Sequence, residues 1–399
     1  MRKPNAPVLI LFASLFIVML GFGIVIPIMP FYVTYFGASG EALGVVMASY
    51  SLMQFVFAPF WGRWSDRVGR KPVLLIGLIG FAISFVLQGL ARDVVQLTLA
   101  RGVAGMLSSA TLPVAFAFIG DTTSEDDRSG GMGMMGAAIG LGMIFGPLLG
   151  GPLGDIALPL PFFAAAFFAL AAAAFAWRLL PESLPLDKRI EHKPGGPSRA
   201  RVLIDALRGP MAFLFVMSFL LAFALTNFEA VLGLFGLDRF ELGPAQVGYL
   251  LGAYGFLGAL MQGAMIGPLT RKIGEVRVLQ LGLIASVIGF VGTALAMQMW
   301  SFVIFSALFN AGNALLRPSV ASLISQRATS GQGVAMGLEN SFMSLGRVVG
   351  PLWAGYAYDA RQEYPFFTGA ILLTLAFGVS LFLIGQKLPV RDREMAHEI

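Results

Sequence analysis

The 399-residue chain has no cysteine, which excludes disulfides, thiolate metal sites and cysteine nucleophiles. Histidine is nearly absent too. The two that exist, His192 and His397, fall in polar stretches, so haem or zinc ligation and histidine-based proton transfer have no constellation to build on. No cofactor and no metal site is therefore expected. Charge is also scarce: 12% of residues are Asp, Glu, Lys or Arg, against about 25% in an ordinary soluble domain. Apolar residues fill the difference, at 57% of the chain and a mean hydropathy of +0.79. Such a chain folds in a lipid bilayer.

Runs long enough to cross that bilayer, roughly 20 residues each, are bounded by Pro/Gly turns and charged punctuation, and twelve can be marked. The first six are Val8 to Tyr35, Glu41 to Trp61, Pro72 to Leu90, Val94 to Gly120, Gly130 to Leu153 and Leu158 to Leu180. The second six are Pro210 to Leu237, Pro244 to Leu269, Val276 to Met297, Ser301 to Ser325, Gln332 to Tyr358 and Pro365 to Ile384. None shows the alternation of barrel strands, so the fold class expected is an all-α membrane protein of twelve helices. Val8 to Tyr35 is too long for the apolar core of a cleavable signal peptide and reads as the first span.

Lysine and arginine give the orientation. With both termini inside, 21 of the 27 basic residues fall in inside loops and helix ends, three in outside loops (Arg92, Arg239, Arg361) and three within spans. That is the positive-inside pattern. It also accounts for the net charge of +5, so the basic balance is no argument for nucleic acid. The Pro-, Gly- and charge-rich stretch from Pro181 to Pro210 divides the chain into a six-helix half at 1–180, a cytoplasmic linker at 181–209 and a second half at 210–399. The halves echo each other. "GRWSDRVGRKPVL" from Gly62 returns 205 residues later as "GPLTRKIGEVRVL" from Gly267, and "GPLLGG" from Gly146 returns 204 residues later as "GPLWAG" from Gly350. Two markers at nearly one offset imply an internal duplication.

The densest charge cluster, Arg63, Asp66, Arg67, Arg70 and Lys71, lies between spans two and three, where Gly62 and Gly69 permit a tight turn. Anchoring at an anionic leaflet explains the bases. It does not explain an acid among them, and Asp66 can pair with Arg70 while Asp121, at the inside end of span four, offers a second acid. Gly62, Asp66, Arg67, Gly69, Arg70 and Lys71 resemble the loop signature GxLaDrxGRKxxL of the major facilitator superfamily, with Trp64 in place of the usual Leu. The resemblance implies a charge latch of Gly62, Asp66, Gly69, Arg70, Lys71 and Asp121 that holds the two halves in an outward-facing state. Arg271 stands where the repeat would carry its Asp, so the latch is expected in the first half only.

Two further motifs extend the likeness. "GMIFGPLLGG" on span five, with Gly142, Gly146, Pro147, Gly150 and Gly151, offers small residues for close helix packing and a Gly-Pro bend. It resembles the family's antiporter motif gxxxGPxxGG, which goes with proton-driven exporters. "LTLARGVAG" on span four, with Arg101 and Gly105, resembles the proton-coupling signature lxxxRxxqG. An arginine inside hydrocarbon costs at least about 2.5 to 3.5 kcal/mol on insertion scales, so Arg101 needs a cavity or a partner. "LMQFVFAPFWGRWSDRVGRKPVLL" looks like the second span of tetracycline exporters, while "FALTNFEAVLGLF" and "LLRPSV" look like quinolone and multidrug exporters. Ala314 stands where the quinolone exporters carry an Asp, and span one lacks the Asp of tetracycline exporters.

Charges embedded in the spans are the candidates for proton coupling: Glu229, Glu339, Arg101, Arg317 and Arg347. Counting 1.5 Å per residue puts Arg317 and Glu339 both in the inside third of neighbouring spans, where they can simply pair. The same count gives Glu229 no obvious basic neighbour in its own half of the chain. A buried carboxylate without a fixed partner favours its neutral form, as a proton carrier requires, so Glu229 is the first candidate and Glu339 the second. Gln54, Asn227, Phe228, Phe309, Asn310 and Asn313 form a candidate substrate pocket of polar and aromatic side chains, although such stripes serve equally as interhelical glue. An aromatic, amide and methionine surface with one acid suits bulky amphipathic cations. Together with the resemblance, these features point to proton-coupled efflux of small molecules by a monomer in the cytoplasmic (inner) membrane. An importer of sugars or other metabolites and a lipid flippase are the alternatives. A membrane enzyme lacks a constellation of catalytic residues, the acidic run Ser124 to Asp127 reading as a solvated loop.

Overall fold

A computed structural model describes residues 6–123, 125–189, 199–209, 211–328 and 332–385. Both chain ends, His192, His397 and Ser124 lie outside these, and with the ends goes the expected placement of the termini. Every regular element among the described residues is helical. Among the described residues, eleven helices are long and apolar enough to cross a membrane. We label them α1 (Val8–Tyr35), α2 (Gly40–Val68), α3 (Arg70–Gly89), α4 (Val94–Thr122), α5 (Gly130–Ile156), α6 (Leu160–Leu179), α7 (Ala212–Phe240), α8 (Pro244–Ile273), α9 (Glu275–Ala294), α10 (Met299–Arg327) and α12 (Tyr364–Leu381). Between the last two lies α11 (Gln332–Ala360), 29 residues long but carrying Glu339, Arg347 and Asp359; it is not among the eleven.

Local chemistry sets the helix ends and breaks. Ser39 caps α2 by accepting from the Ala42 N–H at 3.3 Å, and Asp93 caps α4 by accepting from the Gln96 N–H at 2.8 Å. Pro27 and Pro30 tighten α1 into a 3-10 turn at Ile26–Ile28. A turn at Ser109 and Ala110 interrupts α4, and α8 loosens into a π turn at Met261–Met265. The boundary expected after Trp61 shifts: α2 continues to Val68, so Gly62 sits inside a helix and Gly69 alone makes the turn.

Within the first six helices, α1 packs on α5 and α6, α3 on α4 and α6, and α2 on α4; within the second, α7 packs on α11, and α9 on α10 and α12. The two most extensive contacts between the sets are α2 with α11 and α5 with α8. They are built alike. A Cβ at Gly44 would stand 2.5 Å from the Pro351 carbonyl oxygen, and one at Gly248 would stand 2.5 Å from that of Pro147. Gly44 and Gly248 are 204 residues apart, as are Pro147 and Pro351. Glycine is required at both positions because any side chain would force the crossing helices apart.

Each contact runs along only part of its helices. Going down α5 and α8, Gly252 and Gly255 still touch Leu148 and Ile144, but a Cβ at Gly140, Gly136 or Gly263 would meet nothing within 4 Å. The segments Met261–Met265 and Ile266–Ile273 bury no residue. On the other contact, Gly337 of α11 is likewise open. The two helix sets are therefore closed at the end bearing the Gly37, Arg92 and Met297 turns and spread at the end bearing the Gly69 turn. Part of the stretch expected as a plain linker forms a short helix, Arg199–Ala206, at the spread end. Its Val202 and Leu203 share a groove of about 170 Å³ with Phe55 of α2 and Val334 and Leu338 of α11.

Candidate functional site

At the spread end Arg70 sits between two acids. Its Nη1 lies 2.6 Å from Asp66 Oδ1, one helical turn earlier, and its Nε donates to Asp121 Oδ2 at 3.1 Å from the end of α4. Nη1 also donates to Ser65 Oγ at 2.6 Å. The turn that delivers Arg70 depends on Gly69, at φ +109° and ψ +160°, a region open essentially to glycine. Two residues that sequence reasoning missed complete the cluster. Glu182, just beyond α6, accepts from the Arg70 and Lys71 backbone N–H groups at 2.8 and 3.2 Å and so caps α3, and Ser183 Oγ donates to Asp121 Oδ2 at 3.2 Å. The cluster thus ties α2, α3 and α4 of the first helix set to the start of the linker after α6.

On α5 the glycine motif divides its work. Gly142, Gly146 and Gly150 lie against α1 at Met19, Gly23 and Ile24, where close approach leaves no room for a side chain. Gly151 turns the other way, 2.6 Å from a Cβ to the Pro244 carbonyl oxygen of α8. Pro147 supplies the carbonyl that Gly248 touches, and α5 runs unbroken through it.

Deeper in the fold, Arg101 is 2% exposed with its Nε and Nη1 lacking hydrogen-bond partners. No carboxylate among the described residues forms an ion pair with it. Its guanidinium instead lies 4.9 Å from the Tyr50 ring centroid and 6.0 Å from that of Phe22, with the Met47 sulfur at 3.9 Å from Nη2. The Arg-to-Gly spacing explains the arrangement. Gly105, one turn past Arg101, touches the Tyr50 backbone, so α2 comes close enough to lay the Tyr50 ring against the guanidinium. Tyr50 Oη is fixed by Ser108 Oγ at 2.9 Å.

From the second helix set, Arg347 of α11 lies within electrostatic reach of Tyr50, Glu229 and Arg317. Here the sequence reading is corrected: Glu229 does have a basic neighbour. Gly346 and Gly350 press against α7 at Phe219, Phe223 and Thr226, which brings Arg347 within electrostatic reach of Glu229. Arg347 lies 11 residues from the Tyr358 end of its span and Glu229 eight from the Leu237 end of its own, so the depth count, applied to span eleven, would have found the pair. Even so, neither Glu229 nor Arg347 forms an ion pair within 4.0 Å among the described residues. Glu339 is 4% exposed, its Oε2 has no hydrogen-bond partner, and Arg317 is exposed and near without direct contact, so the simple pair expected there is not made.

The expected pocket is only partly assembled. Phe228 and Phe309 are fully buried in an aromatic cluster with Phe290 and Phe366, their ring centroids 4.3 Å apart, and Asn227 donates to the Pro365 carbonyl at 2.8 Å. These three hold α7, α9, α10 and α12 together rather than facing an open space. Gln54, Asn310 and Asn313 are half-buried; Asn310 donates to its own helix at Ser306, while the Asn313 amide nitrogen has no partner.

The profile of the Major Facilitator Superfamily matches residues 11–265 and 214–397, and the chain belongs to that family of membrane transporters. Multidrug resistance protein 1 of Bacillus subtilis (strain 168) is 34% identical over 393 residues, 98% of each chain. Quinolone resistance protein NorA of Staphylococcus aureus (strain COL) is 28% identical over 384 residues, 96% of this chain and 97% of that one. Among solved structures, a bacterial homolog of the human lysosomal transporter Spinster, in an inward-facing and occupied conformation, aligns with a TM-score of 0.81 over 97% of this chain and 100% of that one, at 13% identity. The fold and the relatives are those of transporters of small molecules, not of enzymes.

Proposed function

We propose that the chain is a proton-driven exporter of small amphipathic, cationic compounds, built as twelve membrane spans in two six-helix halves, 1–180 and 210–399, with both termini in the cytoplasm. The closed end is then the outer face and the spread end, with its basic residues, the cytoplasmic face. The observation that carries the reading is the row of charged and polar groups between the halves: Arg101 and Tyr50 from one, Arg347 and Glu229 from the other, with Glu229 near a base yet not locked to it.

Such a carboxylate can hold either a proton or a cation. Protonated from the outer face, Glu229 loses its attraction for a cationic substrate; deprotonated toward the cytoplasm, it regains it. Arg347 keeps the charged form within reach without satisfying it, and Glu339 is a second carrier deeper toward the spread end. The relatives' names, multidrug resistance and quinolone resistance, support export of diverse compounds.

The test is ethidium transport in proteoliposomes under an imposed pH gradient. The wild type should move dye against its own gradient, Glu229→Gln should lose uphill movement, and Glu339→Gln should lose part of it. Unchanged gradient-driven pumping by Glu229→Gln rejects that residue as the carrier. No movement in the wild type turns the search to metabolites and lipids.

A further inference from the structure

At the closed end two carboxylates reach across from one helix set to the other. Asp359, at the end of α11, accepts from the Gly40 N–H through Oδ1 and from the Glu41 N–H through Oδ2, both at 2.8 Å. These are the first residues of α2. Asp155, at the end of α5, accepts from the Ala245 N–H at 3.2 Å, at the start of α8. The two aspartates are 204 residues apart, and so are Gly40 and Pro244, and Glu41 and Ala245. One contact has thus been made twice, once in each direction.

We propose that Asp155 and Asp359 are the positioning residues that keep the outer gate shut, each capping the first turn of a helix in the opposite half. The proposal rests on the alternating-access reading above but on no substrate. The first N–H groups of a helix have no partner within it and carry the positive end of its dipole, so a carboxylate there is stabilising. Because donor and acceptor belong to different halves, the bond exists only while that end is closed; opening it returns both groups to water. The glycines beneath make the bond reachable. Gly355, one turn before Asp359, touches Gly40, and Gly151, one turn before Asp155, touches Pro244.

The two caps are unequal. Gly40 has a backbone N–H, so Asp359 can take two bonds. Its counterpart Pro244 has none, so Asp155 is left with Ala245 alone. Removing Asp359 should therefore weaken the gate more. Both side chains sit on exposed residues, so replacing them with alanine opens no cavity.

The chain's lack of cysteine makes the measurement direct. Cysteines introduced at the exposed Arg92 and Met297, in corresponding turns on either side of the closed end, carry spin labels whose separation is read by pulsed dipolar spectroscopy in nanodiscs without substrate. The Asp155→Ala background should raise the ratio of long to short separations about fivefold, Asp359→Ala about tenfold, and the double variant more than either, in line with the loss of helix caps. Distributions in the double variant that match the parent, or a larger shift from Asp155→Ala than from Asp359→Ala, overturn the proposal. A silent dye assay would not touch this result, nor would an unchanged distance touch the dye assay.

Discussion

At Gly69, between α2 and α3, the backbone turns at φ +109° and ψ +160°; at Gly274, between α8 and α9 and 205 residues later, it turns at +83° and +159°. The geometry is shared and the chemistry is not. Beyond the first turn Arg70 is clasped by Asp66 and Asp121, whereas Glu275 holds the corresponding position in the second and accepts from Ser322 Oγ and, at 2.8 Å, from Gln326 Nε2. Gln326 is the counterpart of Asp121 and Arg271 that of Asp66. A tight helix-to-helix turn thus requires glycine in both copies, while a charged cluster is needed in one. The extra chemistry sits where the chain after α6 can join it through Glu182, a group whose counterpart after α12 falls beyond the described residues.

Breaking the charged turn should cost most. Arg70→Ala leaves Asp66 and Asp121 facing each other, 27% and 24% exposed, and should cost about 2 kcal/mol, read as a fall in melting temperature in detergent. Next come Gly69→Ala and Gly274→Ala, which force alanine into glycine-only backbone at about 1 to 2 kcal/mol, the lower part of the cost of such strain. The first should be worse, because its Cβ would stand 2.5 Å from Glu182 Oε2 while nothing lies within 4 Å of the second. Glu182→Ala should cost about 1 kcal/mol, the usual loss for a helix cap. Smallest of all, Glu275→Gln in the neutral copy should change stability by about 0.5 kcal/mol or less. An effect of Glu275→Gln as large as that of Arg70→Ala would erase the distinction between the turns.

The helices themselves were plain in the sequence, since apolar runs of bilayer length admit little else. The loop cluster was plain as well: a lone acid among bases, with a second acid one helix away, is an arrangement that composition alone exposes. Glu182 and Ser183 were not, because they follow a span in a Pro-rich stretch with no periodicity to say which way they fold back. Phe228 and Phe309 show the opposite failure. Phe228 adjoins Glu229 in the chain and Phe309 adjoins Asn310, but adjacency cannot say whether a side chain faces a cavity or the next helix, and in the fold both pack on Phe290. Asp359 was recoverable in principle, by carrying Asp155 forward through the 204-residue offset; its meaning needed the contact with Gly40.

The account turns on one carboxylate being shared, in alternation, by a proton and a substrate. The most direct measurement is proton release on binding: ethidium is added to purified protein in weakly buffered detergent solution, from mildly acidic to mildly basic pH, and the pH change is read with an indicator beside a parallel binding titration. The account predicts that the wild type releases protons as it binds dye over part of that range and that Glu229→Gln releases fewer. Dye binding by the wild type with no proton release at any pH would contradict it.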